Sequence, residues 1–254
     1  MSKIGIFDSG IGGLSVLKVI YEKFPNNIYL YIGDENYYPY GLKSKDEIID
    51  RSEKLTNFLI SKKVDLIIIA CNTVSSIALD FLKKNYEIPI IGVIDGAVEK
   101  SIKITQNGLI GVISTPLTAK THIYRDKILL KDSKVKVYEI GSQELVNIVE
   151  NGIINNNPTY LIAKETLEKI KFVDTLILGC THFPALRDLI LKILPNVKIV
   201  DPAEEIVEYI RNYIDNKDKS ILEFYTTGDI KSFKEKAKIF IEDLEEIEVK
   251  KIVI

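Results

Sequence analysis

Only two cysteines, Cys71 and Cys180, and two histidines, His122 and His182, occur in the 254 residues. So few thiols exclude a disulfide scaffold, which needs several bridges to replace a core. An excess of one charge sign is missing as well: 34 basic side chains stand against 36 acidic ones, a formal net charge of -2. That excludes a nucleic-acid binder, whose domain should be strongly basic. No apolar run reaches the roughly 18 residues of a membrane span, so none is expected. No low-complexity linker is present. With 46% apolar and 28% charged residues, the chain is neither disordered nor collagen-like. Met1-Ser2-Lys3 runs straight into Ile4-Gly5-Ile6-Phe7, without the longer apolar region and cleavage site of a signal peptide. A cytoplasmic location is the expectation. In a reducing compartment two lone cysteines are more often catalytic, metal-bound or inert than bridged.

What the chain does have is a regular alternation. Short apolar runs predict strands at Ile4 to Phe7, Ile28 to Ile32, Asp65 to Ala70, Ile88 to Val93, Leu109 to Ile113, Lys134 to Ile140, Asp174 to Leu178 and Lys198 to Val200. Between them, apolar positions at helical spacing predict helices at Gly13 to Phe24, Lys45 to Lys62, Ser75 to Lys84, Lys120 to Leu130, Gln143 to Asn151, Thr159 to Lys169 and Ala185 to Leu194. Continuous apolar strands between helices indicate parallel sheets covered on both faces, an α/β fold. After Pro202 come a helix at Glu204 to Tyr213, a polar stretch at Asp215 to Lys219, a strand at Ile221 to Thr226, a helix at Ser232 to Ile241 and a short end strand.

One internal repeat stands out. Val64-Asp65-Leu66-Ile67-Ile68-Ile69-Ala70-Cys71-Asn72-Thr73 parallels Val173-Asp174-Thr175-Leu176-Ile177-Leu178-Gly179-Cys180-Thr181-His182. Both read Val-Asp, an apolar strand, a small residue, Cys, then polar residues opening a helix. The pattern predicts two pseudo-symmetric parallel-sheet α/β domains with a site in the cleft between them. The expected division is residues 1–95 with 203–254, and 96–202. The tail is too short to stand alone and is expected to return to the first domain.

Three segments invite chemistry. Asp8-Ser9-Gly10-Ile11-Gly12-Gly13-Leu14-Ser15 is a glycine-rich strand-to-helix turn of the kind that receives anions on backbone amides. It misses the third glycine of a dinucleotide fingerprint, although Asp34 lies near the place of a ribose-binding acid. It also lacks the Gly-Lys-Ser/Thr of a P-loop. Small-anion binding is favoured there over dinucleotide binding. Gly33 to Gly41 is a polar, aromatic loop at the carboxyl end of a strand, where open α/β folds bind ligands.

The two Cys turns are the third. Helix N-terminal amides favour an anion and lower a thiol's pKa. A Cys hydrolase uses one Cys with one His and leaves Cys71 unexplained. Zinc and thioredoxin-like sites want C-x-x-C pairs, which are missing. An inert buried thiol is the ordinary fate of a single Cys. Two thiols in duplicated positions fit a racemase instead. A proton leaves one face of a carbon and returns to the other, so two acid–base groups must flank the substrate.

The motifs Asp8-Ser9-Gly-Ile-Gly-Gly-Leu-Ser, Pro39-Tyr40-Gly41, Ala70-Cys71-Asn72-Thr73 and Gly179-Cys180-Thr181-His182-Phe183-Pro184, with Tyr225-Thr226-Thr227-Gly228-Asp229, resemble the glutamate racemase family along the whole chain. The resemblance implies a cofactor-independent, metal-free enzyme that supplies D-glutamate for bacterial peptidoglycan. It implies Cys71 and Cys180 as the acid–base pair, Asp8 assisting Cys71, His182 assisting Cys180, and Glu150 as a carboxylate near the second thiol. Implied substrate contacts are Asp8, Ser9, Tyr40, Gly41, Asn72, Thr73, Thr115, Thr118, Thr181 and His182. It also implies that Cys71 takes the proton from the D isomer and Cys180 from the L isomer. Glutamate is the expected small-molecule partner, and a homodimer the expected assembly. Three places depart from the family pattern: Ser114-Thr115 replaces Gly-Thr, Asp95-Gly96 stands without proline where Glu-Pro-Gly is usual, and Ser142-Gln143-Glu144-Leu145-Val146 replaces Pro-x-Phe-Val. An aspartate or hydantoin racemase, or a catalytically silent ligand-binding or redox-sensing relative, are the alternatives.

Overall fold

A computed structural model describes residues 2–154, 156–214, 220–241 and 248–254. The polar stretch expected at Asp215 to Lys219 lies outside the described residues. Among the described residues, ten strands run in chain order: β1 (Lys3–Asp8), β2 (Ile28–Gly33), β3 (Leu66–Ile69), β4 (Ile90–Gly92), β5 (Leu109–Ser114), β6 (Lys136–Gly141), β7 (Thr175–Gly179), β8 (Lys198–Val200), β9 (Ile221–Thr226) and β10 (Val249–Lys251). They form a six-stranded sheet, β10-β9-β2-β1-β3-β4, and a four-stranded sheet, β6-β5-β7-β8. Every pairing is parallel.

The order β2-β1-β3-β4 in one sheet repeats as β6-β5-β7-β8 in the other. β3 and β7 therefore occupy equivalent places, each beside the first strand of its set. Both are buried throughout. Alternate residues of β3 face opposite ways: Leu66 and Ile68 join one apolar cluster, Ile67 and Ile69 another. Burial of each such side chain stabilises the fold by about 1.5–3 kcal/mol, which fixes register along the strand. The carboxyl ends of β1, β3, β5 and β7 are thereby held in place, and the functional side chains follow directly from them.

Helices cover both faces, as parallel strands require. Helix Lys45–Ser61 opens with a capping box: Ser44 Oγ accepts from the Glu47 amide at 3.3 Å, and Glu47 Oε2 from the Ser44 amide at 2.9 Å. Helix Leu14–Lys23 packs against helix Pro202–Ile210, which also meets helix Ile94–Ile104. Leu14, Leu17, Phe183, Leu186 and Ile206 share one buried cluster, so a single apolar body joins the two sheets. Among the described residues, no helix is long and apolar enough to cross a membrane.

Several predicted elements differ in detail. The helix expected at Ser75 to Lys84 starts earlier and is two pieces, Asn72–Ile77 and Leu79–Asn85. That expected at Lys120 to Leu130 is also two, Pro116–Thr121 and Ile123–Lys131, broken where His122 takes a left-handed conformation (φ 56°). Helix Ile94–Ile104 was not foreseen. It begins directly after β4, so residues 95 and 96 lie in its first turn. The helix expected at Ala185 to Leu194 begins as a 3-10 turn, Phe183–Leu186, before Arg187–Ile193. The last helix is Ile230–Ala237 rather than Ser232 to Ile241.

Candidate active site

One cavity gathers the carboxyl ends of both sheets. Its lining includes Ser9, Tyr40, Gly41, Cys71, Asn72, Thr73, Thr115, Cys180, Thr181 and His182. Both thiols are free, and each residue is 5% exposed. The cavity volume is about 20 Å³, room for one or two water molecules.

The first thiol sits at the N-cap of helix Asn72–Ile77, just past β3. Cys71 Sγ donates to Ser9 Oγ at 3.8 Å. Its pKa moves opposite to the sequence-based expectation. Burial, together with the nearby Asp8 carboxylate, pushes the Cys71 thiol up to about 12, outweighing the lowering by the helix amide and Ser9. Asp8 closes β1 and is fully buried. Its Oδ2 accepts from the Gly10 amide at 3.0 Å, and its Oδ1 from Thr181 Oγ1 at 3.3 Å. Burial raises its pKa, opposed by His182. The glycine-rich loop thus folds onto its own aspartate, which takes the Gly10 amide that an external anion would need.

The second thiol precedes a 3-10 turn rather than an α-helix. His182 Nδ1 lies 3.7 Å from Cys180 Sγ, and His182 Nε2 lies 2.7 Å from Glu150 Oε2. Glu150 Oε1 accepts from Lys236 Nζ at 2.9 Å. Burial alone would lower the His182 pKa, but its bonds to Cys180 and Glu150 raise it to about 10. Glu150 is pushed up by burial and pulled lower overall by His182 and Lys236. The contacts with both neighbours favour the protonated form of the ring.

Contacts between the two sheets close the cleft. Ser15 Oγ donates to the Thr181 carbonyl at 3.1 Å. Thr73 lies 3.0 Å from Thr115 and 3.1 Å from Thr118, hydroxyl to hydroxyl. Gly12 makes a further close approach: a Cβ there would lie 2.5 Å from Thr181 Oγ1 and 2.7 Å from His182 Nδ1. Gly12→Ala is expected to displace the imidazole from Cys180 and lower turnover about a hundredfold. Steady-state kinetics beside a melting curve check this, and near-normal turnover from a folded variant would refute it.

Of the residues singled out in the sequence, Asp8, Thr118 and Glu150 stand behind the lining and reach it through Thr181, Thr73 and His182 respectively. Asp34 has no open side for a ribose. It is fully buried, bonded to Arg51 at 2.7 Å, Tyr40 at 2.5 Å and Thr227 at 2.8 Å. Tyr38, Gln143 and Val146 line the cavity without having been anticipated as site residues. Helical spacing carried a signal for two of them, since 143, 146 and 150 fall on one face. Lys236 carried none, because only the fold brings it beside Glu150. Among the described residues, no three His, Cys, Asp or Glu side chains gather as a metal site requires.

Comparisons with known proteins follow the same line. The Asp/Glu/Hydantoin racemase family model matches residues 15–210. The chain is 39% identical to a glutamate racemase of Fusobacterium nucleatum, over 98% of this chain and 97% of that protein. The crystal structure of a glutamate racemase isoform from Bacillus anthracis superposes with a TM-score of 0.93 at 32% identity, covering 100% of this chain and 98% of that one. The glutamate racemase of Francisella tularensis in complex with D-glutamate superposes with a TM-score of 0.91 at 33% identity, covering 100% and 97%. With its duplicated thiol turns meeting at one cavity, the chain belongs to the Asp/Glu/hydantoin racemase family, on its glutamate racemase branch.

Proposed function

We propose that the protein interconverts L- and D-glutamate by a two-thiol, two-base proton transfer without a cofactor, supplying D-glutamate for peptidoglycan biosynthesis. The observation that carries this reading is the placement of Cys71 and Cys180 after equivalent strands of the two sheets, lining one cavity. In this scheme one thiolate removes the α-proton while the other thiol protonates the opposite face, and the roles exchange with direction. Burial keeps Cys71 protonated. The α-ammonium of an incoming amino acid adds a positive charge, which favours the thiolate. The cavity is too small for glutamate as it stands, so binding requires the sheets to part.

Asp8 and Ser9 serve the Cys71 side of the site, His182 and Glu150 the Cys180 side. Tyr40, Gly41, Asn72, Thr73, Thr115 and Thr181 contact the substrate, and Thr118, behind the lining, acts on it through Thr73. The resemblance carries these roles, and the shared cavity supports them. Strand membership supports a division into residues 1–95 with 203–254, and 96–202. A cytoplasmic homodimer belongs to the same proposal, and sedimentation of the purified protein tests the dimer.

Circular dichroism of purified protein mixed with D-glutamate alone tests the activity. The optical signal is expected to decay to zero, and a persistent signal would refute the reading. Asp8→Asn and His182→Asn are expected to slow the two proton abstractions unequally. Substrate deuterium isotope effects measured in each direction follow those steps. Equal effects in both directions would make the two residues substrate ligands rather than partners of one thiol.

A further inference from the structure

Tyr124, in helix Ile123–Lys131, belongs to the four-stranded half and is fully buried. Its ring passes behind the second thiol turn: a Cβ at Gly179 would lie 3.2 Å from Tyr124 Cε2. Its hydroxyl then reaches across to the first thiol turn and meets Asn72 Oδ1 at 2.5 Å. One residue thus touches both turns, although neither the motifs nor the cavity lining includes it.

The direction of this hydrogen bond follows from donor and acceptor counting. The phenol has one O–H to place, and Asn72 is its hydrogen-bond partner among the described residues. Were the amide turned over, the phenol would accept from Nδ2 and its own proton would be buried without an acceptor, which buried polar groups avoid. Burial also holds the phenol well above its usual pKa, so the proton stays in place. Asn72 Oδ1 is therefore committed to Tyr124. Asn72 is 3% exposed and lines the cavity beside Cys71. The part of its amide left to face a ligand is Nδ2, a pair of donors.

We propose that Tyr124 is a positioning residue for substrate binding: its hydroxyl locks the Asn72 amide with the N–H groups toward the cavity, so that this corner accepts a carboxylate. The inference rests on the proposed racemisation of glutamate. Without the lock, the amide can present its carbonyl oxygen to the substrate, an acceptor facing an anion.

Steady-state kinetics of Tyr124→Phe with both enantiomers is the test. The phenyl ring keeps the packing. KM is expected to rise about five- to tenfold for D- and L-glutamate alike, with kcat changing far less. Asn72→Ala should raise KM at least as much, and the double variant should be no worse than Asn72→Ala, because the lock acts only through that amide. Asn72→Asp keeps an acceptor for Tyr124 but turns an anion toward the cavity, so its KM should exceed that of Asn72→Ala. Even if Tyr124→Phe fails to fold, this comparison reads whether the Asn72 corner accepts a carboxylate, without which the proposal falls. An unchanged KM in folded Tyr124→Phe while Asn72→Ala raises it, additive effects, or Asn72→Asp no worse than Asn72→Ala would each overturn the proposal. An unchanged KM in Asn72→Ala overturns it too, by removing Asn72 from the substrate site. Absence of turnover in the unaltered protein would instead sink the racemase reading.

Discussion

Cys71→Ser and Cys180→Ser are each expected to lower kcat by about a hundred- to ten-thousand-fold in both directions, the contribution of a positioned general acid or base. Each turnover uses both groups, one as base and one as acid, so losing either stops D-to-L and L-to-D conversion together. A free thiol titrates near 8.5, within reach of physiological pH, whereas a serine hydroxyl is a far poorer base. The substitution is nearly isosteric, and both positions are buried to the same degree. The variants should therefore fold and bind substrate while failing at proton transfer. Circular dichroism of each variant with each enantiomer reads the loss, and near-normal turnover by either one would end the two-base assignment. A hydrolase built on a single Cys with His182 would behave otherwise, since Cys71→Ser would then leave its chemistry intact.

Glutamate formed from the unlabelled D isomer in D₂O should carry deuterium at the α-carbon from the first turnover. The incoming hydrogen comes from a different thiol than the one that accepted the leaving proton. That donor exchanges with solvent before substrate binds, while the cleft is open. At low conversion the reverse reaction is negligible, and mass spectrometry of the L product should find it almost wholly labelled. A single base working on both faces would tend to return the substrate's own proton. Mostly unlabelled product would therefore sink the two-thiol mechanism even if both cysteines proved essential.

Most of the architecture was legible in the chain because buried parallel strands write themselves as apolar runs. Leu66–Ile69 and Thr175–Gly179 are buried throughout, and the apolar runs at Asp65 to Ala70 and Asp174 to Leu178 point to them. The duplicated Cys turns also gave away the pseudo-symmetry, since β3 and β7 hold equivalent places in their sheets. What escaped was set by single residues or by tertiary contact. The break at His122 depends on one left-handed residue, for which side-chain periodicity leaves no mark. Helix Ile94–Ile104 follows β4 with only Val93 between them, and no helix is read from the sequence between Val93 and Leu109. The Cys71 pKa was misjudged because local sequence reports the helix N-terminus but not complete burial or the neighbouring Asp8. Lys236 reaches Glu150 from 86 positions away in the chain, a distance over which no local pattern operates.

The unlike surroundings of the two thiols have a thermodynamic consequence. Cys71 meets a serine hydroxyl, whereas Cys180 meets the His182 imidazole, which is held by Glu150 and, behind it, Lys236. The substrates are mirror images of equal free energy, so the ratio of product to reactant at equilibrium is fixed at unity. It follows that kcat/KM must be identical in the two directions, for the natural chain and for every variant of it. An asymmetric site therefore cannot enrich one enantiomer. Its asymmetry can only be stored in the bound states: the enantiomer held more tightly must also turn over more slowly, by the same factor. In a racemic pool the occupied enzyme then rests mainly with that one enantiomer, and ligands copying its handedness are the ones this site will hold best.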